Sequence, residues 1–192
     1  DSWFIFTRQD LWTPQRPFEI DVLLMHEKYG FLAMEVKGGP VRIEKGEWYR
    51  GNEHFKNPPI RQAQDAAYEL RDHLRDHSVP LQQVQIPHAL VLPDVLKLEG
   101  QLPPSCKKEM LFLNPVFENI EHMVTDCIIK SEKRQYLSSI KIEEFYRVAL
   151  PTVNFVWDPD AQRRYSNDAI TRISDEQIRA LRSLDINDRV LV

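Results

Sequence analysis

"FEIDVLLMHEKYGFLAMEVKGG", residues 18–39, decides how this chain is read. Residues 20–26 are apolar almost throughout, with Asp21 set among Ile20, Val22, Leu23, Leu24 and Met25. Phe31, Leu32, Ala33 and Met34 form a second apolar run, which ends in Glu35 and Lys37 before Gly38-Gly39-Pro40 breaks it. Glu27-Lys28-Tyr29-Gly30 between the runs has the composition of a turn. We therefore predict strands over 20–26 and 31–37. Side chains alternate along a strand, so Glu35 and Lys37 share a face, as do Glu19 and Asp21. Asp21 and Glu35 lie equally far on either side of Lys28. If the strands pair across the turn, these two carboxylates come side by side, and two or three carboxylates and one lysine form a cluster.

Crowded carboxylates repel, and burying them uncompensated is costly. A divalent cation resolves the conflict. Mg²⁺ takes hard oxygen ligands, commonly one or two carboxylates plus waters and phosphate oxygens. A lysine beside it can hold the attacking water and offset charge on a phosphate at its transition state. Asp–spacer–Glu-x-Lys thus fits a metal-dependent phosphodiester hydrolase. The competing reading is a solvated Glu-x-Lys pair on an exposed strand, which is worth little. Asp21 weighs against it, because a lone carboxylate in an apolar strand needs a partner.

Outward from this core, residues 3–7 read as a strand, and residues 9–17 as a polar, proline-containing stretch. Residues 41–45 and 47–50 read as a hairpin around Gly46. Asn57-Pro58-Pro59 starts a helix to about Asp76, with Ala63, Ala66, Ala67, Leu70 and Leu74 as its apolar stripe. Residues 85–92 read as a strand stopped by Pro93-Asp94, and 110–113 as a short one. Helices are expected over 118–130 and 142–150, a linker over 158–167, and a last helix from Asp175 to about Leu184. The order implies an α/β domain with a mixed sheet and flanking helices.

The 192 residues suffice for one domain with a proper core, or for a domain plus an appendage. A net charge of -4 gives no global basic field, so any nucleic acid must bind to a local patch. Cys106 and Cys127 form no CxxC pair, which points to a reduced protein without structural zinc. No apolar run reaches membrane-spanning length, and a cytoplasmic location is expected. Both ends read as cut, so the chain is expected to be a piece of a longer protein.

"FEIDVLLMHEKYGFLAMEVKGG", then "GEWYR", "NPPIRQAQDAAYEL" and "HALVLPD", in that order, resembles the nuclease-related domain (NERD) family, a branch of the PD-(D/E)xK nuclease superfamily. The resemblance covers residues 3–94 and implies a restriction-endonuclease-like mixed sheet flanked by helices. It implies a metal-dependent nuclease acting on DNA, single- or double-stranded, with Mg²⁺ or Mn²⁺. By match to the family motif, Asp21 and Glu35 would bind the metal, with the carbonyl of Val36 as an extra ligand. Lys37 would be the catalytic lysine, also touching the phosphate backbone. Gln62 would steady that lysine or the phosphate. Gln64 is a rival, since Gln64 and Tyr68 fit the Gln-x-x-x-Tyr pattern of a related branch. Arg61 is the candidate phosphate contact. The family pattern has a helix with an acidic residue ahead of the first strand, and the residues here start at that strand.

"ISDEQIRALRSLDINDRVLV" resembles the start of a superfamily 1 helicase motor. There Gln177 would contact adenine, and ATP would be a cofactor only if the motor follows. The alternative is a capping box, with Ser174 as N-cap and Gln177 at the third helical position. The implied organisation is a nuclease core over 1–100, a mostly helical completion over 101–157, and a linker with the start of a motor over 158–192. A helicase in cis would place the protein in DNA repair or defence against invading DNA. The competing functions are an inactive DNA-binding or regulatory module of a helicase, and a structural appendage for oligomer contacts; homo-oligomerisation stays open.

Other features have plainer readings. His73 and His77 share a helix face but lack the glutamate of a zincin helix, so an interaction with the helix dipole is favoured. Arg71 and Arg75 among Glu69, Asp72 and Asp76 suit a solvated ion-paired face. Trp48 and Tyr49 are expected to pack on the sheet rather than stack on bases.

Overall fold

The computed structural model describes residues 2–12, 17–114 and 119–150, with isolated helical residues at 167, 170–172, 175, 177 and 179. The chain divides into two compact units, Asp1–Pro151 and Thr152–Val192. The elements below all belong to the first.

Apolar sequence on both sides of a tight turn produces the central hairpin. Strand β2 (Pro17–His26) pairs antiparallel with β3 (Gly30–Val36). Gly30 at φ +91 closes the turn, and a Cβ there would lie 2.6 Å from the Gln135 side chain. The register Val22↔Met34 through His26↔Gly30 pivots on Lys28, as the spacing predicts. Strand β1 (Phe4–Trp12) flanks β2. Strands β4 (Val41–Glu44), β5 (Glu47–Arg50) and β6 (Glu53–His54) form a separate small sheet. Helix α1 (Pro59–His77) then crosses back to β7 (His88–Leu92), which pairs parallel with β3, and β8 (Leu111–Leu113) pairs parallel with β7. The main sheet has the order β1-β2-β3-β7-β8. Helices α2 (Ile120–Lys130) and α3 (Ser139–Ala149) complete the unit.

The layers follow from alternation. Phe31 and Ala33 pack with Ala66, Ala67, Leu70 and Leu74 of α1 and with Phe145 of α3. Leu32 and Met34 turn to the other face, against Val124, Cys127 and Ile128 of α2. A β3 buried on both faces is therefore apolar from Phe31 to Met34, as parallel-sheet centres are. The alanines of α1 allow close approach to the sheet. This mixed α/β sheet with flanking helices is consistent with a restriction-endonuclease-like fold. No helix of the described residues is long and apolar enough to cross a membrane.

Several boundaries differ from expectation. β1 runs to Trp12 and β2 starts at Pro17, so the polar stretch 9–17 is partly strand. Backbone pairing, Asp10↔Glu19 to Trp12↔Pro17, carries the ladder on regardless of side-chain polarity, and a proline is tolerated as the first strand residue. β7 starts at His88 rather than at residue 85. The N–H and C=O of Gln85 are taken by the Gln135 side chain, and Pro87 has no N–H to give. α3 begins at Ser139, three residues early, because the Ser138 hydroxyl caps it by accepting from the Lys141 N–H. The expected linker over 158–167 lies outside the described residues apart from a helical Asn167. Of the last helix, only Asp175, Gln177 and Arg179 are described, and each is helical.

α3 is fastened to the rest by Glu144, which accepts from the Ser78 hydroxyl at 2.6 Å and from Arg147. Arg147 first, then Ser78, hold its carboxyl down to about 2. A depressed carboxyl contributes stability above its unfolded value, and that contribution is lost as pH falls toward the folded one. We predict that Glu144→Gln flattens the acid limb of urea-denaturation midpoints between pH 4.5 and 2.

Candidate active site

β3 and the residue directly after it deliver two charged side chains to the α1 side of the sheet. Phe31 and Ala33 face that side, and alternation carries Glu35 and Lys37 there with them. Glu35 is only 7% exposed. Its carboxylate is ion-paired with the Lys37 ammonium. The Lys37 N–H donates to the Val91 carbonyl at 2.9 Å, so the backbone below this lysine is still held by β7.

Asp21 completes the group from β2. One more step of the β2–β3 register sets it beside Glu35, but the ladder stops at Val22↔Met34. Instead, Asp21 Oδ2 accepts a hydrogen bond from the Val36 N–H at 2.7 Å. This is the partner that a carboxylate in an apolar strand requires. The N–H and C=O of a strand residue point to the same edge, so the Val36 carbonyl faces the same gap. Ile20 and Leu23 both join the α1-side core, so the alternation of β2 shifts at Asp21.

β1 bends at the same level. Thr7↔Val22 and Gln9↔Ile20 are paired, while Arg8, in register with Asp21, has φ +51 and an exposed side chain. A non-glycine residue in that region is uncommon. Sequence reading passed over Arg8, whose place opposite Asp21 becomes visible only once the register is known. It also treated Asp94 as a strand stop. Asp94 Oδ2 accepts the Gly39 N–H at 2.7 Å, tying the turn after Lys37 to the turn after β7. At Gly38 a Cβ would lie 3.3 Å from Asp94 Oδ2, so Asp94 borders the turn there.

The remaining candidates are placed as follows. Gln62, in the first turns of α1, donates from Nε2 to the Asn57 carbonyl at 2.7 Å, so its recorded bond is to the helix start and not to Lys37. Gln64 donates to the Tyr68 hydroxyl at 3.3 Å. Arg61 is exposed on α1. Arg71 and Arg75 are paired with Asp72 and Asp76, as a solvated face requires. His77 Nδ1 bonds the His73 carbonyl at 2.8 Å near the end of α1. Trp48 is buried, while Tyr49 lies under Arg42 and beside His54. Gln177 is helical and exposed, and Ser174 lies outside the described residues.

Burial pushes the Glu35 carboxyl above its ordinary value, Lys37 pulls it back down, and Asp21 and Glu19 push it up further. The net direction is up. The expected clustering of carboxylates is thus felt electrostatically by Glu35. Such a carboxyl binds its proton more tightly folded than unfolded. Stability therefore falls as pH rises from the ordinary 4.5 through the raised folded value. We predict that Glu35→Gln removes this fall. In urea melts the variant gains on the parent as pH rises from 4.5 to neutrality.

The donor set fits a hard divalent cation. Asp21 and the Val36 carbonyl meet at the gap between β2 and β3, and the buried Glu35 carboxylate on the α1 side feels the Asp21 charge, while burial disfavours its ionised form. Among the described residues no group of three or more His, Cys, Asp or Glu is placed to hold a metal. That excludes an all-protein cage of such side chains there, but not a Mg²⁺ site, which usually takes one or two carboxylates and completes its shell with water and phosphate.

Residues 1–93 match the family model described as "Nuclease-related domain". The matched span contains Asp21, Glu35, Lys37, Arg61 and Gln62, and it indicates a nuclease-related function. No curated protein and no solved structure matches the chain.

Proposed function

We propose that the first unit is a DNA nuclease of the PD-(D/E)xK type that uses Mg²⁺ or Mn²⁺. The observation that carries this reading is the buried Glu35 carboxylate, which is ion-paired with Lys37 and feels the charge of Asp21, itself bonded to the neighbouring Val36 N–H. Asp21, Glu35 and the Val36 carbonyl would hold the cation. When bound, it supplies a Lewis acid and makes a coordinated water more acidic. Lys37 orients the attacking water and offsets negative charge as the phosphate reaches its transition state. Its pairing with Glu35 holds the ammonium at the metal-binding side of the sheet. Asp94, through Gly39, fixes the turn that follows Lys37. Gln62 stiffens the start of α1, a humbler role than contact with the lysine. Arg61 is exposed and available to a phosphate.

Coupling in cis to an ATP-driven helicase, and hence a role in repair or defence, rests on the likeness of residues 173–192 to such a motor. A cytoplasmic setting goes with that role.

The test is cleavage of plasmid and single-stranded DNA in Mg²⁺, in Mn²⁺ and in EDTA. Cutting that needs the cation and is lost in Glu35→Gln supports the reading. DNA binding without cutting, equal in the parent and the variant, favours an inactive binding module.

A further inference from the structure

A cavity of about 220 Å³ lies beside α1 at the level of Gln64 and Tyr68. Its lining includes Tyr68, His88, Lys107, Lys130 and Lys133, together with the carboxylate of Glu109. Lys130 is paired with Asp126. Among the described residues, no carboxylate lies within ion-pair distance of Lys107 or Lys133. The Lys133 ammonium instead lies over the Tyr68 ring, 5.5 Å from its centre, and the Arg71 guanidinium lies 4.6 Å from that centre. Tyr68 is 36% exposed.

His88, in the cavity wall, is 8% exposed, and its Nδ1 is buried with no hydrogen-bond partner. Burial first, then Lys133, push its ring down to about 4. The imidazole is therefore neutral near pH 7, and Nδ1 can donate or accept according to tautomer. An orphaned buried nitrogen costs about 1–3 kcal/mol unless something bonds it. A pocket with unpaired ammonium groups, an aromatic platform and an unsatisfied ring nitrogen is suited to a small anion bearing hydrogen-bonding oxygens. At ~30 Å³ per water-sized group, the cavity has room for about seven such groups.

Its position supplies the class of ligand. His88 precedes Leu90 by two strand residues, and Leu90 is the partner of Glu35 in the β3–β7 register. At about 3.3 Å per residue the pocket lies on the order of 7 Å along the strand from the level of Glu35. A nucleic-acid strand carries a phosphate about every 3.4 Å of helix axis. We propose that this pocket binds a phosphate group of a nucleotide, presented by a strand that also reaches Glu35 and Lys37. The choice of a strand rests on the nuclease reading; the phosphate chemistry does not.

The experiment follows the His88 ring nitrogens by ¹⁵N NMR in EDTA while inorganic phosphate, thymidine monophosphate and a short oligothymidylate are added in turn. In parallel, oligothymidylate affinity is measured against salt for the parent chain and for Lys107→Gln/Lys133→Gln. The proposal expects His88 to shift with a phosphate-bearing probe. It expects the double variant to bind the oligomer about tenfold more weakly, with a salt slope smaller by one to two. Shifts with the oligomer alone identify a strand phosphate. Shifts with the monophosphate but no change in the oligomer's salt slope identify a free nucleotide. An unmoved His88 with all three probes overturns the pocket, whatever the salt slope. Because the measurements are made without metal, they stand apart from cleavage. A protein that cuts DNA but leaves His88 unmoved keeps the nuclease and loses the pocket, and the reverse result does the opposite.

Discussion

Lys37→Ala lowers metal-dependent DNA cleavage by at least about 10²–10³-fold, the cost of removing one preorganised charge from a transition state. In the proposed mechanism the lysine acts most strongly on charge that develops during reaction, so the loss falls in turnover. The structure explains why no neighbour substitutes. Lys37 is the cation paired with Glu35, and it directly follows β3, where its N–H is still held by Val91 of β7. Arg8, in register with Asp21, comes from a different strand, and its backbone departs from extended geometry there. Single-turnover rates on labelled DNA measure the effect. Lys37→Arg is the informative control. Its planar guanidinium keeps the charge but changes the donor geometry, so it restores little of the rate if the lysine orients water. Full restoration by arginine reduces the role to a point charge.

Phe31→Ala destabilises the first unit by about 3–5 kcal/mol, the usual cost of deleting a buried phenyl group. Phe31 is fully buried, and its ring centre lies 5.2 Å from that of Phe145. It therefore fills the junction of β3, α1 and α3, the three elements that hold the α1-side core together. For a unit of this size the thermal midpoint drops by roughly 6–20 °C. Calorimetry measures it directly. Phe31→Leu, which keeps most of the volume, loses much less. A small loss in the alanine variant would mean that α3 is not docked on the sheet.

These two residues mark the two ends of one legible element: Phe31 is the second residue of β3 and Lys37 directly follows its last. The hairpin pivot at Lys28, the α1 stripe and the shared face of Glu35 and Lys37 were readable because short-range periodicity encodes them. What was not readable depends on partners far away in sequence. Asp94 acts through a bond to Gly39, 55 residues distant. The start of β7 is set by Gln135, 50 residues from Gln85. Arg8 gains its interest from a register that only the folded β1–β2 pair defines. The orphaned Nδ1 of His88 is likewise a property of burial, not of the string "PHALVL". Gln62 shows the converse case. Its position in the motif was legible, but the recorded contact of its side chain, with Asn57, was not.

The central claim is that Asp21 and Glu35 form a divalent-cation site, and Mn²⁺ binding measured by electron paramagnetic resonance tests it most directly. The parent chain is predicted to bind Mn²⁺ competitively with Mg²⁺, with binding abolished in Glu35→Gln and strongly weakened in Asp21→Asn. The same affinity in parent and both variants, or no Mn²⁺ bound by the parent at millimolar concentration with DNA present, would contradict it.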